Sequence, residues 1–275
     1  MSEPVIVNDP KGIGAFLLAS TEMEMQVTRT TGIGKTILLD RYFNSEKRKD
    51  ITGKDGYWHY VWEERSNAGF SFLGSVFERY GAKLASLDSS PTAQDLKQAA
   101  VFILVDPDHT KDNPAPHFLA EKDIQIIQKW VRAGGVLMLM ANDSANCELE
   151  HFNKLAGVFG FHFTNKSLHM VKNDTFEQGA VLTGENHAIF KTAKKIFLKE
   201  ISTLELHGPA TALLRKQEDI IMAAARYGRG TVFAVGDPWL YNEYVDGRKL
   251  PAEYENFKAA EDLVGWILQK TRRVQ

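Results

Sequence analysis

Short apolar runs that alternate with amphipathic segments constrain the fold of this chain more than any other feature. Three five-residue runs, at 36–40, 101–105 and 136–140, are apolar at nearly every position, and residues 82–86 are a further predicted strand. Continuous apolar runs of this length are typical of strands that are buried on both faces of a sheet. The pattern therefore predicts a sheet with packing partners on both sides.

Amphipathic helices are predicted between the strands. Apolar residues from Phe70 to Tyr80 recur at spacings of three and four, and Gly81 follows them as a C-cap. Further helices are predicted from residue 91, over 123–132, over 148–159 and over 253–270. The region 160–214 is richer in strands, and 220–235 predicts a hairpin that returns to the sheet. Strand, helix and strand in this order imply a parallel sheet with helices on both faces, preceded by a short N-terminal helix.

Charge and cysteine content exclude several classes of function. The 33 basic residues are balanced by 35 acidic ones, so the chain lacks the positive surplus that non-specific nucleic-acid binding needs. Cys147 is the only cysteine, which excludes an intrachain disulfide and a zinc site built on cysteine pairs. The apolar run at 13–19 is far too short to span a membrane, and no basic segment precedes it. We therefore expect no nucleic-acid partner, no membrane partner and no export signal in this chain.

Two motifs that could carry chemistry lack the context that they require. Gly34, Lys35 and Thr36 resemble the end of a phosphate-binding loop, but Arg29 stands where its first glycine belongs, and the strand follows the motif instead of preceding it. Cys147 lies seven residues beyond a predicted strand, without the glycines of a nucleophile elbow. We interpret this thiol as structural, and no residue is predicted to be catalytic.

Polar residues follow the ends of several predicted strands and suggest a binding site. Because ligands of open parallel sheets bind outside the carboxyl ends of the strands, these residues are expected to meet at one edge. The candidate contacts are Asn44, His59, Trp62, Glu63, Asp106, Asp108, Asn142, Asp143, Asp237, Trp239, Asn242 and Glu243. Carboxylates, amides and aromatic faces together favour a sugar or another small ligand. Two alternatives stay open, since the same residues could cap helices and turns or hold a hard cation such as calcium.

Two stretches of the sequence resemble a known arrangement of domains. The first is Gly12-Ile13-Gly14-Ala15-Phe16-Leu17-Leu18-Ala19 with the preceding residues 5–11, and the second extends over residues 35–275 through His59-Tyr60-Val61-Trp62-Glu63, Val105-Asp106-Pro107-Asp108, Glu150-His151-Phe152-Asn153 and Gly236-Asp237-Pro238-Trp239. The first resembles the end of an (α/α)6 barrel of glycoside hydrolase family 105, the unsaturated rhamnogalacturonyl hydrolases. The second resembles the glutamine-amidotransferase-like module appended to some of these enzymes.

The resemblance carries expectations about fold and function. It implies a flavodoxin-like, class I glutamine-amidotransferase-like α/β domain over residues 31–275, and a remnant of the barrel over 1–30. It also implies an accessory, non-catalytic module that binds pectic oligosaccharide or stabilises a hydrolase barrel, without cofactor or metal, in the periplasm or outside the cell. The alternative is a hydrolase in its own right, with acid and base drawn from Asp106, Asp143, His59 and Glu63.

Overall fold

A large mixed sheet with helices on both faces forms the centre of the protein, in a computed structural model that describes residues 9–25, 29–49 and 52–271. The strands are β1 (Thr36–Asp40), β2 (Lys47–Lys49), β3 (Asp55–Tyr57), β4 (Lys83–Leu87), β5 (Val101–Val105), β6 (Val136–Met140), β7 (Phe161–Leu168), β8 (Ala180–Leu182), β9 (Lys195–Phe197), β10 (Ile201–Leu206), β11 (Ala210–Lys216), β12 (Asp219–Tyr227) and β13 (Gly230–Val235). The helices are α1 (Pro10–Met25), α2 (Ser71–Arg79), α3 (Ala93–Gln98), α4 (Glu121–Arg132), α5 (Leu149–Val158), α6 (Asn242–Val245) and α7 (Asn256–Lys270).

One half of the main sheet is parallel and the other half is antiparallel. The order is β4-β1-β5-β6-β13-β12-β10-β7, with β11 beside β12. The strands from β4 to β13 pair in parallel, whereas β12, β10, β7 and β11 pair antiparallel. The α/β class is confirmed, and β12 and β13 form the antiparallel hairpin that is predicted over residues 220–235, but the sheet as a whole is mixed and not the parallel sheet that the sequence predicts. A short turn joins β12 to β13. A connection of this length can join antiparallel strands, whereas parallel strands need a long crossover.

Side chains of the central strands alternate between two hydrophobic cores. Val101, Ile103 and Val105 of β5 pack on one face, and Phe102 and Leu104 pack on the other. Helices α2 and α7 cover the first face, while α3, α4 and α5 cover the second. Because helices cover both faces of the sheet, neither face of a central strand can carry exposed polar side chains. This explains the continuous apolar runs in the sequence.

The order of the parallel strands reverses at β1. Helix α2, which leads from β1 to β4, lies on one face, and α3, which leads from β4 to β5, lies on the opposite face. Strands β1 and β5 are neighbours, and the helices that follow them, α2 and α4, lie on opposite faces of the sheet. Ligands of open α/β sheets bind at such topological switch points.

Helix α1 precedes the sheet and exposes several apolar side chains. Phe16, Leu17, Leu18 and Met23 are each more than half exposed. Part of the segment that led to the prediction of a barrel remnant, residues 1–8, lies outside the described residues. The division of the chain at residues 30 and 31 therefore stays a prediction. Within the described ranges, no helix is long and apolar enough to cross a membrane.

Gly236, which follows β13, packs closely against the backbone of β10, and a substitution at this glycine tests that packing. A Cβ atom on Gly236 would lie 1.7 Å from the carbonyl oxygen of Ser202, whereas one on Gly157 of α5 would meet nothing within 4 Å. We expect Gly236→Ala to lower the free energy of unfolding by about 2–3 kcal/mol through overpacking. The control Gly157→Ala should raise it by about 0.5–1 kcal/mol, because alanine loses less backbone entropy in a helix. Urea denaturation measures both, and equal effects would contradict this packing.

Candidate functional site

A small cavity opens at the carboxyl ends of the parallel strands. We call it the strand-end cavity, and its volume is about 180 Å³. It is lined by His59, Tyr60, Asn67, Ala68, Asn142, Lys199, Glu200, Asp237, Tyr241 and Glu243. Asn142 and Asp237 follow β6 and β13, and the other residues come from the loops after β1 and β13 and before β10. The cavity is thus built by segments that are far apart in the sequence.

Asp106 follows β5 and lies directly behind the cavity lining. Its Oδ2 atom accepts a hydrogen bond of 3.2 Å from Nδ2 of Asn142, and its side chain is almost fully buried, with 7% of the residue exposed. Among the described residues, no group makes a hydrogen bond of ordinary geometry to its Oδ1 atom, while the hydroxyl of Tyr60 and the thiol of Cys147 lie close enough to interact with this carboxyl. Burial raises the pKa of this carboxyl to about 7, against the hydrogen bond from Asn142 and the nearby His59, which lower it.

Asp237 is the second buried carboxyl at this edge, with 2% of the residue exposed. Its Oδ2 atom accepts a hydrogen bond of 2.8 Å from the backbone N–H of Lys199. Burial raises the pKa of Asp237 well above its ordinary value, and the negative charges of Glu200 and Asp106 add to this effect. Both carboxyls therefore take up protons far more readily than an aspartate in water does.

Aromatic residues of the loop after β1 close one side of the cavity. His59 stacks on Trp58 with ring centroids 3.5 Å apart, and its Nδ1 atom lies 3.0 Å from Oε1 of Glu46. Tyr60 is buried beside Asp106, and its ring centroid lies 6.0 Å from that of Tyr241. Burial raises the pKa of both phenols well above the usual range, so both hydroxyls keep their protons. They can therefore donate hydrogen bonds to a ligand.

Unfavourable backbone conformations are concentrated at this site. The φ angles of His59, Tyr60, Asp106 and Glu200 are 59°, 51°, 41° and 52°, in the left-handed region that side chains other than glycine rarely adopt. Such conformations cost roughly 1–3 kcal/mol each and persist where the surrounding structure imposes them. Asp40 and Asp108 are also buried and have raised pKa values, so the combination of these backbone conformations with two buried acids beside a cavity is what marks the candidate site.

Five of the residues predicted from the sequence meet at this place. They are His59, Asp106, Asn142, Asp237 and Glu243. The cavity lining also contains residues that are not predicted from the sequence, namely Tyr60, Asn67, Ala68, Lys199, Glu200 and Tyr241. Tyr241 lies four residues after Asp237 and was within reach of the same argument. Lys199 and Glu200 precede β10 in the irregular region, where no sequence signal places them beside β13.

Three other predicted contacts have structural roles as caps of the backbone. Asp108 accepts hydrogen bonds from the N–H and hydroxyl of Ser45, and Asp143 accepts one from the N–H of Ala145. Asn242 accepts a bond from the N–H of Phe72 and donates to backbone carbonyls of the loop before α2. These side chains satisfy backbone groups, as the capping alternative anticipates.

The remaining predicted contacts lie in the core or on the surface. Trp62 is buried and donates to the carbonyl of Ala85, and Trp239 is fully buried in the same core. Glu63 is exposed and forms an ion pair with Arg41 at 3.3 Å. Asn44 is buried next to the end of β1, and neither of its amide atoms has a partner among the described residues. These four residues are not part of the cavity lining.

Cys147 and one cluster of possible metal ligands lie outside the cavity lining. Burial raises the pKa of the Cys147 thiol well above its usual range, which disfavours the reactive thiolate. Within the described ranges, the ligand atoms of Glu148, Glu150 and His151 lie within 4.8 Å of one another. Glu148 already caps α5 by accepting the N–H of His151. The positive end of that helix opposes the binding of a cation.

Comparison with known proteins identifies the fold without identifying a family. No family model matches the chain, and no curated protein matches it. The N-terminal domain of IFT52 (mmIFT52) superposes with a TM-score of 0.62 at 17% identity, over 88% of this chain and 100% of that one. The cytoplasmic protein STM1381 of Salmonella typhimurium LT2 has a TM-score of 0.57 at 15% identity, over 86% and 100%. The β-galactosidase of Rahnella sp. R3 has a TM-score of 0.51 at 14% identity, over 85% of this chain and 31% of that one.

These similarities correct the resemblance that the sequence motifs suggested. The assignment to the amidotransferase-like module of a family 105 hydrolase is wrong, since the solved structures of similar shape include those of IFT52 and STM1381 but no family 105 hydrolase and no amidotransferase. The sheet is also mixed rather than uniformly parallel. The quoted segments 105–108 and 236–239 both mark the end of a strand, where many α/β sheets place polar residues and proline. Such motifs therefore describe a kind of sheet rather than one family.

The raised pKa of Asp106 predicts a specific dependence of stability on pH. Between about pH 4 and pH 7 the folded chain holds a proton that the unfolded chain has released, so the free energy of unfolding falls as the pH rises. Asp106→Asn removes this fall, and asparagine tolerates the left-handed backbone. From pH 4.5 to pH 8 the variant should gain about 1–3 kcal/mol relative to the natural chain, as measured by urea denaturation.

Asp88→Asn is the matched control with the opposite sign. Arg41 binds the Asp88 carboxylate at 2.7 Å and lowers its pKa. That variant should lose stability relative to the natural chain as the pH rises towards the ordinary value of 3.8, and the difference should stay constant between pH 4.5 and pH 8. The same trend in both variants would contradict the burial of Asp106.

Proposed function

We propose that this protein is a non-catalytic module that binds a small, hydroxyl-rich ligand, such as one sugar residue, in the strand-end cavity. The observation that carries the proposal is a cavity whose wall includes the buried carboxyl of Asp237, with a second buried carboxyl, that of Asp106, directly behind Asn142. The hydroxyls of Tyr60 and Tyr241 and the amide of Asn142 provide further donors and acceptors for hydroxyl groups.

The position in the fold supports the proposal. The parallel half of the sheet runs in the order β4-β1-β5-β6-β13, which corresponds to the doubly wound order 2-1-3-4-5 of flavodoxin-like proteins. We propose the flavodoxin-like description for this half alone. In such sheets the ligand occupies the space outside the carboxyl ends of the strands, where Asp106, Asn142 and Asp237 lie.

The size of the cavity restricts the ligand. Sites for drug-sized molecules usually have roughly 300–1,000 Å³, and the strand-end cavity has about 180 Å³. The cavity therefore fits one ring or the end of a chain. Tyr60 and Tyr241 line the cavity although each is only 8% exposed, so they supply a small apolar contact.

An accessory role in carbohydrate metabolism is supported by the occurrence of the fold within a longer enzyme. The superposition with the Rahnella β-galactosidase includes 31% of that chain, so a domain of this shape is one part of a sugar-hydrolysing protein. We propose that the present chain likewise assists a carbohydrate-active partner. The exposed apolar residues of α1 are compatible with contact to such a partner.

Blocking the cavity tests the proposal. Ala68 lines it, and Ala68→Leu should weaken the binding of sugars at least about tenfold, because the added side chain occupies the ligand's space. The measurement is a ligand-observed NMR titration with glucose, galactose and galacturonic acid oligomers. Ala115→Leu, on an exposed loop outside this lining, is the matched control and should bind normally. Absence of binding by every sugar, or equal binding by both variants, would contradict the proposal.

A hydrolase in its own right is the second candidate, and one observation favours it. The pKa of Asp106 is raised to about 7, close to the value that suits a general acid or base at neutral pH, and Asp237 is a second carboxyl nearby. Asp143 and Glu63, the other predicted catalytic groups, lie outside the cavity lining. This candidate predicts release of reducing sugar from oligosaccharides, lost about a hundredfold or more in Asp106→Asn and Asp237→Asn. Binding without turnover by the natural chain would exclude it.

A further inference from the structure

The charges around the strand-end cavity are unequal. Its described lining contains the acids Glu200, Asp237 and Glu243 but a single lysine, Lys199, and Asp106 adds another acid directly behind Asn142. A ligand in this space thus faces more carboxyl groups than cationic groups. This excess of carboxyl groups disfavours an anionic ligand and favours a neutral or cationic one.

The cationic groups near the cavity already have acidic partners. Nζ of Lys199 lies 3.3 Å from a carboxylate oxygen of Glu200, and Nδ1 of His59 lies 3.0 Å from Glu46. Glu243 is paired with Lys249 at 3.5 Å. Of the four acids in or behind the cavity lining, Asp106 and Asp237 then remain without an ion pair among the described residues, and they are the most deeply buried of the four. Neither is within ion-pair distance of a cationic side chain in the part of the chain that the structure describes.

Three kinds of ligand would interact differently with these two carboxyls. A ligand carboxylate would bring a third acid into a site that already disfavours the ionisation of two. A neutral hydroxyl can donate one hydrogen bond to the carboxyl of Asp237, which lines the cavity. An ammonium group donates three hydrogen bonds and adds a positive charge to those of His59 and Lys199, which are near the two carboxyls without forming ion pairs with them, and such charge-assisted bonds are roughly twice as strong.

We infer that the strand-end cavity binds a sugar or similar polyol that carries an ammonium group, held by the carboxyl of Asp237, with the charge of Asp106 acting from behind Asn142, and that it excludes uronic acids. This inference rests on the proposed function and specifies its ligand class. It departs from the pectic oligosaccharides that the sequence resemblance implied, because their uronic residues are anionic. The ammonium nitrogen would approach the carboxyl of Asp237, which lines the cavity, while the ring hydroxyls contact Asn142 and the tyrosines.

The inference also predicts that binding releases protons. Binding of a cation stabilises the ionised form of both carboxyls, so protons that they hold near neutral pH leave on binding. The groups that face the two carboxyls are Glu46, His59, Tyr60, Cys147, Lys199, Glu200, Tyr241 and Tyr244. At lower pH the carboxyls hold their protons more firmly, and the ammonium ligand competes with them less well.

Three sugars with the same ring test the inference on the full chain. Glucosamine, glucose and glucuronic acid differ in one substituent, and their dissociation constants are measured by NMR titration at pH 7. Glucosamine should bind at least about tenfold more tightly than glucose, and glucuronic acid at least about tenfold more weakly. At pH 5.5 the preference for glucosamine should shrink severalfold. Calorimetry of glucosamine binding in two buffers of different ionisation enthalpy should show proton release.

Charge-neutral variants identify the residues responsible. Asp106→Asn and Asp237→Asn each remove one charge with little change in side-chain shape, so each should lower the affinity for glucosamine more than the affinity for glucose, and the ratio of the two dissociation constants should fall severalfold towards one. Glu78→Gln, an exposed residue at the end of α2 near the opposite edge of the sheet, removes the same charge and should keep the preference.

The outcomes separate the two proposals. If glucose binds as well as glucosamine, and Ala68→Leu still blocks both, the charge inference is overturned and the sugar site remains. If no sugar binds, both are overturned. If calcium chloride binds through Asp106 and Asp237 while glucosamine does not, the cavity is a metal site and the inference is overturned as well.

Discussion

The parallel pairing of β5, β6 and β13 is the constraint on which the rest of the site depends. Val105 is in register with Met140, and Met140 with Val235, so the three strands end at the same level. The backbone bond from Asp106 to the carbonyl of Met140 continues this register beyond the strands. Asp106, Asn142 and Asp237 therefore leave the sheet side by side, although more than 90 residues separate the second from the third. The hydrophobic cores on both faces hold this edge in place.

Burial of two acids at one edge gives this region its chemical character. Removing a carboxyl from water disfavours its charged form, and a second carboxyl nearby increases that penalty. The strained backbones of His59, Tyr60 and Glu200 place their side chains around these acids rather than relaxing into ordinary loops. A fold optimised for stability alone would avoid both costs, which is why this edge, rather than a larger surface groove, is the candidate site.

The sequence predicted the central elements well because local signals determine them. The runs that became β1, β5 and β6 have the predicted bounds, since continuous apolar segments bounded by polar residues leave few alternatives. The antiparallel half was predicted less well, because pairing between distant strands leaves little local signal. The resemblance to one hydrolase family was wrong for a related reason, as its motifs mark strand ends that many α/β sheets share.

The candidate site could be predicted in part from strand ends. Asp106, Asn142 and Asp237 follow directly from the order of strands, but their neighbours Asp108 and Asp143 have the same composition and cap backbone groups instead. Trp62 and Trp239 were predicted as sugar-stacking surfaces and are buried in the core. Composition does not distinguish a capping aspartate from one that faces a cavity. Which of the two roles an aspartate takes depends on the backbone conformation of the loop that carries it.

Titration of the Asp106 carboxyl by carbon-13 NMR tests the central claim most directly. The Asp106→Asn variant identifies the signal, and the titration is followed on the natural chain in the absence of ligand. The account predicts an apparent pKa near 7, because burial of the carboxyl outweighs the effects of Asn142, His59 and Tyr60, which lower the pKa. A titration near the ordinary value of 3.8 would show that this carboxyl is solvated or paired, and would contradict a buried acid site at the strand ends.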